Sequence, residues 1–163
     1  MTGRLDEGAT VTGSLASINV SDGGVPKARI SAARVTASGV EGDRQADLEH
    51  HGGSERAVSI FSLDRIEALR SEGHPIDVGT TGENLTVRGI DWRHVVPGAA
   101  LLVGPVRLRI TSYAAPCATI EASFLGRGFA RISQKIHPGW SRVYARVEVE
   151  GSIRVDDPVR LGP

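Results

Sequence analysis

Val143-Tyr144-Ala145-Arg146-Val147-Glu148-Val149-Glu150 places an apolar residue at every second position and a polar or amphipathic one between. Successive side chains of a strand point to opposite faces, so this alternation reads as a half-buried β-strand. Gly151 then turns the chain into Ile153–Val155, and Asp156-Asp157-Pro158 turns it into a last short strand at Val159–Leu161. Upstream, Val106, Leu108 and Ile110 alternate with Arg107 and Arg109 over Val106–Thr111. Gly104-Pro105 separates that run from Ala100–Val103. Further strands are expected at Thr12–Val20, Ala28–Val35, Arg56–Phe61 and Asn84–Val87. Twenty glycines and eight prolines cut the chain into short pieces, as a mostly β domain requires.

Two segments read as helices. Ser62 is placed to cap a helix with Leu63, Ile66 and Leu69 on one face, ended by Gly73 with Pro75 beyond it. A second is expected over Thr119–Ile136, interrupted by Gly126 and Gly128 and open to division in two. The expectation is one barrel-like β domain with one or two helices packed on it. With 163 residues and 40% hydrophobic content the chain suits a single globular domain, and with 4% aromatics its core must be mainly aliphatic.

Nineteen basic residues balance nineteen acidic ones, so no global charge favours nucleic acid or an anionic membrane. Met1 to Gly13 has no apolar core of the signal-peptide kind, and no apolar run approaches the roughly 20 residues that span a bilayer. One cysteine cannot form an internal disulfide, which suits a reducing compartment, so a soluble cytoplasmic domain is expected.

That cysteine, Cys117, follows Pro116 just after the Val106 strand, where the chain turns toward the second expected helix. A thiol at a helix N-terminus gains thiolate character; the alternative is a buried structural cysteine. The long polar stretch from Gly39 to Gly53 contains adjacent His50 and His51. In extended backbone these point to opposite faces, and no HExxH or CxxC pattern is present, which argues against a zinc site. Gly79-Thr80-Thr81-Gly82-Glu83-Asn84 offers hydroxyls, an amide and bare backbone N–H groups, suited to a phosphate or a pterin edge or simply to a turn. His137-Pro138-Gly139-Trp140-Ser141-Arg142 ends in a cation able to take phosphate bidentately, or else in a surface arginine beside a tryptophan that plugs the barrel.

The order of these segments is more specific than any one of them. Gly42-Asp43-Arg44-Gln45-Ala46-Asp47, His51-Gly52-Gly53-Ser54-Glu55-Arg56-Ala57-Val58, Gly82-Glu83-Asn84-Leu85, Pro116-Cys117 and His137-Pro138-Gly139-Trp140 together resemble the small stand-alone bacterial molybdenum cofactor sulfurase C-terminal (MOSC) proteins. The resemblance runs from about Val11 to Leu161. It implies a barrel-like β fold and a site for the molybdenum cofactor, a molybdopterin, with Cys117 as metal ligand. Gly82, Glu83 and Asn84 match the family's Gly-Glu-Asn, and His51, Gly52 and Gly53 its His-Gly-Gly. Lys27, Asp43, Arg56 and Arg142 join Gly82, Glu83 and Asn84 as implied cofactor contacts, and His51 joins Cys117 as an implied catalytic residue. Tyr113, Ala114 and Ala115 precede the cysteine where many relatives carry an arginine.

The implied activity is reduction of N-hydroxylated compounds. One cysteine cannot hold an iron–sulfur cluster and the chain has no room for a flavin domain, so electrons are expected from a separate protein. The other reading is a cofactor carrier or sulfur-transfer module with a Cys117 persulfide. A third is a catalytically silent interaction module with an inert thiol.

Overall fold

A computed structural model describes residues 12–44 and 54–163 of the chain. The strands are β1 (Gly13–Val20), β2 (Ala28–Ile30), β3 (Ala32–Thr36), β4 (Gly39–Val40), β5 (Val58–Ser62), β6 (Leu85–Arg88), β7 (Ala100–Val103), β8 (Val106–Ala114), β9 (Arg142–Val149), β10 (Gly151–Arg154) and β11 (Pro158–Gly162). Among the described residues seven of them form a barrel in the order β11-β7-β8-β9-β5-β6-β1, closed by the pairing of β1 with β11. Strand β2 extends the sheet from β1, while β10, β3 and β4 form a separate three-stranded sheet.

The alternating runs supply the barrel core. Leu108 and Ile110 of β8, Val143 and Ala145 of β9, and Val58 and Ile60 of β5 are buried against Leu15, Ile18, Leu85, Leu101 and Val103. Burying each Leu, Ile or Val contributes on the order of 1.5–3 kcal/mol. Closure demands close backbone approach at Gly13, which pairs with Val159. A Cβ there would lie 1.9 Å from the Arg88 carbonyl oxygen, so no other residue fits.

Strands β5 and β6 are parallel, with Ile60 opposite Leu85 and Phe61 opposite Thr86. Parallel neighbours need a crossover, and here it contains helix α1 (Leu63–Ser71). Ser62 caps α1 by accepting a hydrogen bond from the Arg65 N–H, as the sequence predicts. Ile66 and Leu69 are its buried residues. At its end the Gly73 N–H donates to the Arg70 carbonyl and the His74 N–H to that of Leu69, with Gly73 at φ +101°. This pair of bonds is the Schellman arrangement that left-handed glycine permits.

Two sequence expectations need correction. The run Ala28–Val35 is not one strand: it breaks at Ser31, with β2 pairing to β1 and β3 to β10. Thr119–Ile136 is not an α-helix but three 3-10 turns, at Ala118–Ser123, Leu125–Arg127 and Phe129–Ile132. Gly126 and Arg127, within the second of these turns, both adopt positive φ, which stops any α-helix from propagating. Arg131 fastens this segment to α1 by a bidentate ion pair with Glu72. No helix among the described residues is long and apolar enough to cross a membrane.

Candidate active site

A cavity of about 290 Å³ opens beside the barrel between the loop before β2, the Gly79–Asn84 loop, β9 and the segment after β8. Lys27, Asp43, Gly82, Asn84, Cys117 and Arg142 all line it, with Ser59, Thr81 and Tyr144. Six of the residues implied by sequence resemblance thus meet at one place, although they are spread along the chain from position 27 to position 142.

One wall is a closed polar network. The Lys27 ammonium donates to Asp43 Oδ1 at 2.6 Å, and their side chains are only 8% and 5% exposed. Asp43 also accepts from the Ser21 N–H at Oδ1 and from the Asn84 amide at Oδ2, each at 2.9 Å. Asn84 in turn accepts at its Oδ1 from the Ser59 N–H at 3.0 Å. A nearly buried carboxylate with three donors has its hydrogen-bonding capacity met by the protein, and it ties the Gly39–Arg44 segment to the barrel. Asp43 and Asn84 therefore fix each other through side chains rather than through backbone pairing.

Glu83 points elsewhere. Its side chain is wholly buried and is not among the groups lining the cavity. Its carboxylate accepts from the Gly79 N–H at 3.0 Å and from the hydroxyls of Thr81 and Thr86 at 2.9 Å each. Thr86 accepts from Asn19, whose amide also reaches the Glu83 carbonyl. Burial pushes the Glu83 carboxyl above its ordinary range against the pull of these donors. The residue braces the Gly79–Asn84 loop from behind.

The opposite wall carries the cation and the thiol. Arg142 is only 8% exposed and donates from Nη1 to the Thr81 carbonyl at 2.7 Å, with longer contacts from Nη2 to the carbonyls of Ala114 and Ala115. No carboxylate among the described residues lies within ion-pair distance of it, and its Nε has no hydrogen-bond partner. Burial lowers its proton affinity, opposed by the nearby Tyr144, Glu83 and Cys117. It still carries its charge, since arginine does not deprotonate in proteins. Cys117 is exposed, with its Sγ 3.0 Å from the Thr119 hydroxyl. The buried structural alternative for this thiol is therefore excluded. A six-residue 3-10 turn succeeds Cys117, so no long run of aligned peptide dipoles faces the sulfur as an α-helix would.

Arg56 lies outside the cavity lining and places its guanidinium 5.4 Å from the centre of the Tyr144 ring. Tyr144 and Ser59 carry no motif that marks them as site residues in the sequence, although they pair across β5 and β9. Arg142 and Tyr144 are two residues apart on β9, and that spacing alone puts them on one face. His51 lies outside the described residues. Among those described, no group of three or more His, Cys, Asp or Glu side chains could hold a metal ion.

The model of the MOSC domain family matches residues 47–160. The chain belongs to the MOSC family. MOSC domains are associated with molybdenum cofactor binding. Among curated relatives, YflK of Bacillus subtilis is 29% identical over 115 residues, covering 69% of this MOSC chain and 51% of YflK. A protein of Gibberella moniliformis named Reductase is 32% identical over 132 residues, covering 77% of this chain and 23% of that protein. The chain thus spans about half the length of one relative and under a quarter of the other.

Solved structures share the fold. YiiM from Geobacillus stearothermophilus superposes with a TM-score of 0.71 at 21% identity, over 93% of this chain and 75% of that one. The YUAD protein from Bacillus subtilis gives 0.70 at 17% identity, over 92% of this MOSC chain and 95% of its own.

Proposed function

We propose that the cavity binds the molybdenum cofactor with Cys117 as metal ligand, and that the protein reduces N-hydroxylated compounds using electrons from a separate partner. The observation that carries this reading is the pairing, in one cavity, of an accessible thiol with a buried cation that has no counter-ion among the described residues. A molybdopterin matches both features. Its phosphate is an anion that suits a desolvated guanidinium with an unused N–H. Its metal, already held by sulfur, suits a soft thiolate from the protein. Among the described residues no three-residue ligand cluster is present, which is compatible with a metal that arrives already held by its cofactor.

When bound, such a cofactor would supply the electron transfer. The chain's own groups hold and orient it. Cys117 fixes the metal end, Arg142 holds an anionic group, and Gly82 and Asn84 present a rigid polar edge. Lys27 keeps Asp43 in place, and Asp43 keeps Asn84 in place. Glu83 acts through the loop it braces, and Arg56 through Tyr144. The fungal relative named Reductase supports a redox role over a purely structural one. A single cysteine cannot hold an iron–sulfur cluster, so in this reading the electrons reach the cavity from outside these 163 residues.

The test is to purify the protein from a host competent in cofactor synthesis and to measure molybdenum, pterin and reduction of 6-hydroxylaminopurine. Stoichiometric molybdenum and pterin in wild type, lost with activity in Cys117→Ala, is the expected result. Metal-free protein carrying sulfane sulfur on Cys117 would point instead to sulfur transfer. Full activity in cofactor-loaded Cys117→Ala would end the ligand assignment.

A further inference from the structure

Reduction of an N–OH group needs an acid as well as electrons. In R–NH–OH + 2 e⁻ + 2 H⁺ → R–NH₂ + H₂O the N–O bond breaks, an N–H bond forms and the oxygen leaves as water. A hydroxide leaving group is poor, so a proton delivered to that oxygen as the bond breaks lowers the barrier.

Among the described residues lining the cavity, few can deliver one. Arg142 and Arg44 do not release a proton, and Asp43 is taken up as the acceptor of three hydrogen bonds. The Lys27 ammonium is held by Asp43 at 2.6 Å and is almost fully buried. Ser59, Thr81 and Thr119 carry aliphatic hydroxyls, which are far weaker acids than a phenol. Cys117 is committed to the metal if it is the ligand.

Tyr144 remains, and its surroundings suit the task. It lines the cavity and shares a strand face with Arg142, two residues away. Its ring lies under the Arg56 guanidinium, 5.4 Å from ring centre. The electrostatic fields of Arg142, Arg56 and Cys117 all act on its hydroxyl. Two cations stabilise the phenolate that proton donation leaves behind, and solvent reprotonates it afterward. Burial, the largest influence, keeps the phenol above its ordinary range and hence protonated at neutral pH.

We infer that Tyr144 is the proton donor to the departing oxygen of an N-hydroxylated substrate bound in this cavity. The inference rests on the reductase reading and adds to it the residue that supplies the acid. An external protein donor supplies both electrons, Tyr144 supplies one proton to oxygen, and water supplies the other.

The experiment uses cofactor-loaded wild type and Tyr144→Phe, which removes the hydroxyl and keeps the ring beneath Arg56. Molybdenum and pterin content is expected to be unchanged, while kcat falls by about 10²–10⁴-fold, the usual contribution of a general acid. Calorimetry on the loaded proteins provides a readout independent of turnover. Wild type should prefer an N-hydroxylated base over its parent amine, and the variant should lose about 2- to 12-fold of that preference, as for one hydrogen bond.

In a Tyr113→Phe background, replacing the one remaining tyrosine by fluorotyrosine should move the alkaline limb of kcat toward lower pH. A fully loaded Tyr144→Phe enzyme with wild-type kcat and wild-type ligand preference overturns the assignment alone. A variant that loses molybdenum overturns it too, by making Tyr144 a cofactor-holding group. Loaded wild type that reduces no N-hydroxylated base removes the reductase reading and the Tyr144 role together.

Discussion

Replacing Asp43 by Ala should cost the cofactor-free protein more stability than any surface change of the same size. The substitution deletes the acceptor of three hydrogen bonds, from Lys27, the Ser21 N–H and Asn84. It also leaves the Lys27 ammonium 8% exposed with its carboxylate gone. Breaking one side of a buried pair costs about 3–5 kcal/mol, because the stranded charge keeps its desolvation penalty. For a chain of this size that is a drop of about 6–20 °C in Tm. Lys27→Met should also destabilise, but by less, since Asp43 keeps two donors. The double variant should be less harmful than the two single losses added together, with a coupling of about 1–3 kcal/mol. Urea unfolding followed by tryptophan fluorescence measures all four proteins of the cycle. A loss below about 1 kcal/mol for Asp43→Ala, or strict additivity, would show that the pair is solvated and does not brace the site.

Three further outcomes are expected. Glu83 is held above its ordinary value near 4.5, so the native state keeps a proton that the unfolded chain releases, and stability falls as pH rises from that value through the raised one. Glu83→Gln cannot ionise and should flatten the fall in Tm over that interval; equal slopes in both proteins would refute the buried-acid account. Gly79→Ala forces φ +80° on a residue with a Cβ and sets that atom 2.5 Å from the Lys27 carbonyl oxygen, so a loss of about 1–3 kcal/mol or more is expected in urea unfolding. Arg142→Met should keep a folded barrel by circular dichroism yet lower molybdenum and pterin content by about tenfold or more, the 1.4 kcal/mol or more of one charge-assisted contact; unchanged content would show that no anion rests on Arg142.

The strands were legible where one face is buried and the other wet, because only that asymmetry writes alternation into the sequence. Val106–Thr111 and Val143–Glu150 meet that condition, and they became β8 and β9. Closure of the barrel was not legible, since it depends on Gly13 and Ser14 meeting Val159 and Pro158 across almost the whole chain. Nor did the break at Ser31 show, because an apolar run looks the same whether or not it changes sheets. The two glycines near 126–128 did signal the failure of the second helix.

For the site, motif order pointed to Asp43, Asn84 and Cys117, and the resemblance added Arg142; all four line one cavity. It did not separate Glu83 from Asn84, adjacent residues whose side chains serve different neighbourhoods. Tyr144 was missed because its position on an alternating strand reads as solvent-facing. On β9 that outward face is covered by the cavity, a tertiary fact that no local pattern encodes.

The charges around the cavity bear on the proposal that an anionic ligand binds there. Lys27 and Asp43 cancel at 2.6 Å, so this pair contributes rigidity and little field. Glu83 is near enough to favour the charged form of Arg142 but too far for an ion pair, and burial drives it toward the neutral acid. Arg44, on the rim, faces Asp22 at 3.6 Å in solvent, where screening leaves little of its charge. Arg142 alone among these combines a fixed charge, burial and the absence of a carboxylate partner. Carbonyl oxygens of Thr81, Ala114 and Ala115 reduce its desolvation cost without neutralising it. A buried cation kept in this state costs stability in the free protein, and an arriving anion recovers that cost as binding energy. A cavity with this buried cation and an exposed thiol would suit the proposed ligand, anionic at one end and thiophilic at the other.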